Sequence, residues 1–177
     1  MKLAYSIPGK IWWIHNFLDY DEYKGIHNAI IKQRKQLKLH EVVGAWSPFL
    51  YKGLSPTKRV EVNNYPPFEE LKTLVKHNPY FTFPELSFMS TTIHYMNKNA
   101  GINWHDDGSW KYGATYYLNH KWHKQWGGEL MFTDLNGHGF LPVVGNSLVI
   151  VKAPLPHKVN PVLSPLLPRI SVQVFMK

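Results

Sequence analysis

From Phe81 onward the chain is a succession of short apolar runs separated by Gly, Pro, Asn or Asp. β-Branched and aromatic side chains suit a pleated, half-buried surface, and the turn residues end each run before a long helix could form. The pattern predicts strands at Ser87–Met96, Asn103–His105, Thr115–Asn119, Glu129–Thr133, His138–Val143, Ser147–Val151, His157–Asn160 and Arg169–Phe175. About eight short strands at this spacing predict a mainly β (α+β) fold, either a sandwich or a jelly roll. Seven Trp, ten Tyr and nine Phe lean the same way, because aromatics favour strands and bury large areas.

The first eighty residues read differently. Ile11–Ile14 predicts a short buried strand. Asp19–Leu37 predicts a helix, with Ile26, Ala29, Ile30 and Leu37 at roughly helical spacing and acidic residues where the helix dipole favours them. Gly44–Lys58 reads as a loop, a candidate substrate lid through Trp46, Phe49 and Tyr51 or an ordinary connection. Pro66 and Pro67 precede a second helix, Phe68–Lys76, with Phe68, Leu71, Leu74 and Val75 on one face. With no repeats and no linker, 177 residues suit one domain over 1–177. Within it, 1–80 would supply the N-terminal strand and supporting helices, and 81–177 the jelly-roll core.

The absence of cysteine excludes disulfides, zinc thiolate sites, iron–sulfur clusters and thiol nucleophiles. Any metal must use His, carboxylate or backbone oxygen, and a reducing cytoplasm is the simplest setting. No run approaches the ~20 apolar residues of a membrane helix, so no membrane partner is expected. Met1–Lys10 contains Pro8 and Gly9 and does not read as a signal peptide. The formal charge of +8 suits an acidic partner such as nucleic acid or a ribonucleoprotein. The basic residues are spread out, however, which fits plain solubility, and the densest group is Lys32, Arg34, Lys35 and Lys38.

The segment Trp104-His105-Asp106-Asp107 carries the first chemical signal. Residues i and i+2 of a strand share a face, so His105 and Asp107 could reach one ion while Asp106 points away. A histidine from a neighbouring strand would complete a facial set of two imidazoles and one carboxylate, which suits Fe(II) and O₂. Alone, the pair reads more readily as a turn with a capped aspartate. His157 follows fifty residues after Asp107 and opens a short predicted strand. Arg169 begins Arg169-Ile170-Ser171-Val172-Gln173-Val174-Phe175, where Arg169 and Ser171 share the face opposite Ile170, Val172 and Val174. An arginine facing a barrel interior needs an anion, and a carboxylate ligand held bidentately would supply one. The alternative is a solvated strand-end arginine. His120 and His123, with His138, read as solvent-exposed rather than as a second metal site.

Taken in order, these residues resemble the Fe(II)/2-oxoglutarate oxygenases, particularly the prolyl-hydroxylase-like branch. The matching features run over roughly the C-terminal half. They are Tyr95 ten residues before His105, then His105-x-Asp107, then Tyr116-Tyr117-Leu118-Asn119 leading through Trp122 to Gly127-Gly128-Glu129-Leu130, then Pro156-His157 and Arg169-x-Ser171. The resemblance implies a double-stranded β-helix in which His105, Asp107 and His157 hold Fe(II). It implies Arg169 pairing with the distal carboxylate of 2-oxoglutarate, Tyr117 hydrogen-bonding beside it, Tyr95 lining the cosubstrate pocket, and Ser171 on the same inward face. Gly127 and Gly128 would be structural, permitting a tight start to a strand.

The implied reaction consumes O₂ and 2-oxoglutarate, gives succinate and CO₂, and hydroxylates a prolyl residue in a protein or peptide, with ascorbate as a further reductant. A ribosome-associated target is one such protein. Related halogenases lack the carboxylate that Asp107 supplies, which favours hydroxylation. Phe175 stands where nucleic-acid demethylases carry a second arginine, which disfavours a nucleic-acid base. The competing readings are an oxygenase of a free amino acid or other small molecule, and a binding module without turnover. Phe175 in place of a tryptophan, three prolines between His157 and Arg169, and the short Asp107–Tyr117 loop depart from the oxygen-sensing enzymes.

Overall fold

In chain order the elements are β1 (Lys2–Ile7), β2 (Ile11–His15), α1 (Tyr20–Gln33), β3 (His40–Glu41), a 3₁₀ turn (Pro48–Tyr51), β4 (Lys58–Glu61) and α2 (Pro66–Lys76). They continue with β5 (Met89–Met96), β6 (Ile102–His105), β7 (Tyr112–Tyr117), β8 (Leu130–Asp134), β9 (Gly137–Leu141), β10 (Ser147–Lys152), β11 (His157–Val159) and β12 (Arg169–Met176). The structure is a computed structural model that describes residues 1–33, 39–63, 66–87 and 89–177.

Two antiparallel sheets form the body. The larger runs β1-β2-β10-β7-β12-β5-β4-β3 and the smaller β6-β11-β8-β9. Strands β5 to β12 are distributed between the two, which is the jelly roll that the spacing of apolar runs predicts. The first eighty residues do more than support it, because β1 to β4 extend the large sheet at both edges. Sequence periodicity leaves β1, β3 and β4 unmarked. β1 is mostly exposed and carries a register shift between Leu3 and Tyr5, and β3 and β4 are short and charged, so none shows clean alternation.

Alternation along β12 separates two cores. Ile170, Val172, Val174 and Met176 face the helices, packing with Tyr23, Ile26 and Ile30 of α1 and Phe68, Leu71 and Val75 of α2. Between the sheets lies a second core, with Met96, Ile102, Tyr117, Leu130 and Phe132 among its members. The inward face of β12 therefore looks into the space between the sheets, where Arg169, Ser171 and Gln173 are all buried.

Helix α1 starts with a reciprocal cap. Glu22 N–H donates to Asp19 Oδ1 at 2.9 Å, and Asp19 N–H donates to Glu22 Oε2 at 3.1 Å, so two backbone donors at the helix start are satisfied. The expected continuation to Leu37 lies outside the described residues. So do Arg34, Lys35, Lys38 and the side chain of Lys32 in the basic group. Pro66 and Pro67 occupy the first turn of α2. The stretch Gly44–Lys58 holds the 3₁₀ turn and is fastened to β6, where Asn103 Nδ2 donates to Phe49 O at 2.8 Å and Lys52 O at 3.1 Å. No described helix is long and apolar enough to cross a membrane.

The cap gives a test of the helical layer. Asp19→Ala should lower stability by about 1 kcal/mol in urea denaturation, with divalent-metal affinity unchanged. An undiminished urea midpoint would show that the cap contributes nothing.

Candidate active site

His105 ends β6 and His157 begins β11, and the register pairs them directly across the two strands. Their rings lie 4.2 Å apart, centroid to centroid. Each Nδ1–H donates to a nearby backbone carbonyl at 2.8 Å, Asn103 O for His105 and Leu155 O for His157. These bonds hold the Nδ1 protons and turn Nε2 of each ring toward Asp107, as the atom that would meet a metal.

The third member arrives by a different route from the one expected. β6 stops at His105, so Asp107 shares no strand face with it. Instead Asp107 takes a left-handed backbone, φ 55°, while Asp106 Oδ1 accepts from Gly108 N–H in a tight turn. Aspartate tolerates this conformation better than most residues, and such backbone strain concentrates at functional sites. The turn brings Asp107 Oδ1 to 3.6 Å from His105 Nε2 and Oδ2 to 3.5 Å from His157 Nε2. Among the described residues this is the one group of three or more His, Asp or Glu side chains whose ligand atoms all lie within 4.8 Å. His120, His123 and His138 are exposed and do not join a cluster.

The electrostatics suit a cation. Burial alone would push the Asp107 pKa up, but the hydrogen bond from His157 and the neighbouring imidazoles outweigh it and hold the carboxyl below its ordinary value. Burial would push His157 down, yet the Asp107 hydrogen bond and charge raise it. His105 is lowered by burial and by His157. A single carboxylate between two imidazoles, with the remaining positions unclaimed by protein, fits a divalent ion that must also bind other ligands. Gly113 is part of this fit, because a Cβ there would lie 2.9 Å from Asp107 Oδ2.

Arg169 is 1% exposed. Its Nη1 donates to Ser171 Oγ at 3.1 Å and approaches Met96 Sδ at 3.4 Å, and the guanidinium lies 4.9 Å over the Tyr117 ring. Its Nε and the buried Tyr117 hydroxyl have no hydrogen-bond partner. Among the described residues no carboxylate pairs with Arg169. An uncompensated buried cation costs several kcal/mol, on the order of the whole penalty of breaking a buried ion pair. These unclaimed donors therefore define a seat for an anion. Gly128 makes room for it: a Cβ there would come within 2.9 Å of Arg169 Cδ, and its φ is 77°. The double glycine therefore shapes the arginine site as well as the start of a strand.

Tyr95 does not join this seat. In the β5–β12 register Arg169 is opposite Met96, Ile170 opposite Tyr95 and Ser171 opposite His94. Directly paired residues share a face, so Tyr95 goes with Ile170 into the helix-side core. The expectation that Tyr95 lines the cosubstrate pocket is corrected by this alternation. His94 takes the inward place, lining a cavity of about 400 Å³ together with His105, Asp107, His157 and Trp46. It is 2% exposed, and burial, then Arg169 and Arg59, lower its pKa to about 3. The sequence shows a histidine beside the matched tyrosine, but only the strand register tells which of the two faces inward.

Residues 90–177 match the family described as the 2OG-Fe(II) oxygenase superfamily. No curated protein matches the chain at the level of sequence. Among solved structures, a Pseudomonas putida prolyl-4-hydroxylase is similar over 95% of this chain and 92% of its own, with TM-score 0.73 and 15% identity. A Trichoplax adhaerens prolyl hydroxylase, solved with a hypoxia inducible factor peptide fragment, covers 96% of this chain and 84% of its own, with TM-score 0.78 and 15% identity. The viral collagen prolyl hydroxylase of Paramecium Bursaria Chlorella virus-1, solved with 2OG, covers 96% of both chains, with TM-score 0.64 and 12% identity.

Two outcomes check the site. Gly113→Ala should weaken Mn(II) or Fe(II) binding by about tenfold or more in calorimetry, the size expected when a ligand's support is disturbed. His94 gives a pH signature. Its folded pKa lies below its unfolded value, so the unfolded chain binds the extra proton and stability falls as pH drops from 6.5 toward about 3. The slope from this residue is at most about 1.4 kcal/mol per pH unit. His94→Gln should flatten the stability profile between those limits by that amount; an unchanged slope would show that His94 protonates freely.

Proposed function

We propose that the chain is a 2-oxoglutarate-dependent dioxygenase of the 2OG-Fe(II) oxygenase superfamily, whose pattern residues 90–177 match, and that it hydroxylates a prolyl residue of a protein or peptide, releasing succinate and CO₂. The observation that carries the cosubstrate assignment is the buried Arg169, whose Nε is unclaimed and which has no carboxylate partner among the described residues.

In this reading His105, Asp107 and His157 hold Fe(II) on one side. Arg169 and the Tyr117 hydroxyl receive the distal carboxylate of 2-oxoglutarate, and Ser171 holds the guanidinium in place. The bound iron supplies the activation of O₂ that couples decarboxylation of the oxo acid to substrate hydroxylation. The chain's own part is to orient the reactants and exclude water. The cavity wall beyond Asp107 carries Trp110 and Phe175, whose rings stack with centroids 5.4 Å apart, with Thr92 and Gln173 beside them. Flat aromatic faces with a few polar groups suit a prolyl ring flanked by peptide amides. The two cellular prolyl hydroxylases and the viral one among the similar structures, one of them solved with a peptide, support the same substrate class. A net charge of +8 favours an acidic partner, such as a ribosome-associated protein, and the cysteine-free composition favours a cytoplasmic setting.

The test loads the enzyme with Fe(II), 2-oxoglutarate and ascorbate and offers proline-containing peptides and free amino acids. Mass spectrometry should find one added oxygen on peptidyl proline, with matching succinate. Asp107→Ala should form no succinate, and Arg169→Leu should need about a hundredfold more 2-oxoglutarate. Oxygen appearing on free amino acids and on no peptide would overturn the substrate reading.

A further inference from the structure

Two segments lie side by side on the surface, 119–127 between β7 and β8 and 161–168 between β11 and β12. They run antiparallel and are tied at both ends. At one end Asn119 Nδ2 donates to Pro168 O at 2.9 Å, and Ile170 N–H donates to Asn119 Oδ1 at 2.7 Å. At the other, Leu163 N–H donates to Trp126 O at 2.7 Å, and Gly127 bridges Val162. Neither segment lines the cavity that holds His105, Asp107 and His157.

Between these ties the second segment turns three leucines outward. Leu163, Leu166 and Leu167 are 54%, 76% and 48% exposed. The loop holds them there. Ser164 is buried and accepts the N–H groups of Leu166 and Leu167 on Oγ at 3.4 and 3.0 Å. Pro161, Pro165 and Pro168 fix φ at three further positions. A single exposed leucine is ordinary, whereas three on one pinned loop mark an interaction site.

The companion segment supplies charge. His120, Lys121, His123 and Lys124 are exposed, and neither segment contains Asp or Glu. On α1, whose Tyr23 ring lies 6.1 Å from that of His120, Glu22 is engaged in the helix cap. Trp126, half-buried beside Leu163, meets Trp122 edge-on at 5.3 Å. Leucines outward, an indole beside them and lysines alongside match the layers of an anionic bilayer surface, which are acyl chains, interface and headgroups. A second copy on the same face would set Lys121 and Lys124 against like charges. The leucines give nothing to a phosphate backbone, and outward side chains on a loop give no groove to an acidic peptide.

We propose that this leucine–lysine face docks the protein peripherally on a membrane surface that carries anionic lipid. No described helix is long and apolar enough to cross a membrane. The lack of a long apolar run, which leads the sequence reading to expect no membrane partner, bears on spanning alone. The docking face is independent of the reaction in the cavity.

Co-sedimentation tests the full chain against vesicles of phosphatidylcholine alone and of phosphatidylcholine with phosphatidylserine. The protein should pellet with the mixed vesicles, and its affinity should fall as salt rises. Lys121→Gln combined with Lys124→Gln should weaken binding roughly twenty-fivefold, about fivefold for each charge. Leu163→Ser, Leu166→Ser and Leu167→Ser together should weaken it by about tenfold or more, with Mn(II) affinity unchanged. The chain has no cysteine, so Leu166→Cys takes a single environment-sensitive fluorophore. Its emission should shift to the blue on mixed vesicles and be quenched by a lipid with a quencher on its acyl chain. The same label at Leu135→Cys, on the exposed β8–β9 turn, should do neither. No binding to mixed vesicles at low salt, or binding that leaves the Leu166 label unshifted, would overturn the proposal. Inert vesicles together with leucine-dependent dimers in sedimentation velocity would assign the face to a second copy instead, and inert vesicles with leucine-dependent capture of polyglutamate would assign it to an acidic protein.

Discussion

The structure turns on a positive charge placed where water cannot reach it. Arg169 is buried on the jelly roll's inner face, donating to a hydroxyl and lying over an aromatic ring, with no anion among the described residues to neutralise it. A fold tolerates such an arrangement when a ligand completes it, since the desolvation penalty is then offset by charge-assisted hydrogen bonds. Much nearby makes room for that side chain or holds it. Gly128 lacks the Cβ that would collide with it, Ser171 fixes one nitrogen, and Tyr117 lies beneath it. The unclaimed donors are thereby reserved for an anion that the chain itself does not supply.

At the other end of the cavity the same economy of backbone appears. Three side chains able to hold a metal come from two neighbouring strands and a left-handed turn, and each imidazole is locked by a carbonyl two residues before it. Gly113 leaves space for the carboxylate, as Gly128 does for the arginine. The site is thus set by where side chains are absent as much as by where they are present.

Much of this is legible in the residues alone, and the reasons for the gaps are physical. The eight strands of the jelly roll announce themselves because each is a short apolar run ended by turn residues, and β5, β7, β10 and β12 are buried on both faces for most of their length. The ligands and Arg169 stand out because their order and residue types are unusual together. Strands β1, β3 and β4 are silent because β3 has two residues, β4 is a charged four-residue strand without a buried position, and β1 has no buried position and a register shift. The route by which Asp107 joins His105 is invisible because alternation and a left-handed turn both bring i and i+2 together. Tyr95 and His94 are adjacent, and a one-residue choice of face reverses which of them enters the pocket. Matched positions in a remote relative convey order along the chain and leave that choice open.

The pairing of His105 with His157 has a mechanical side. β6 is the edge strand of the small sheet, bonded there to β11 alone. Were one ion held by an imidazole from each strand, it would clasp β6 to β11 at an edge of this sheet. Asn103, on the same edge strand, carries the wall that includes Trp46 through its bonds to Phe49 and Lys52. Loss of such an ion would then loosen strand and wall together, coupling metal content to the shape of the cavity wall.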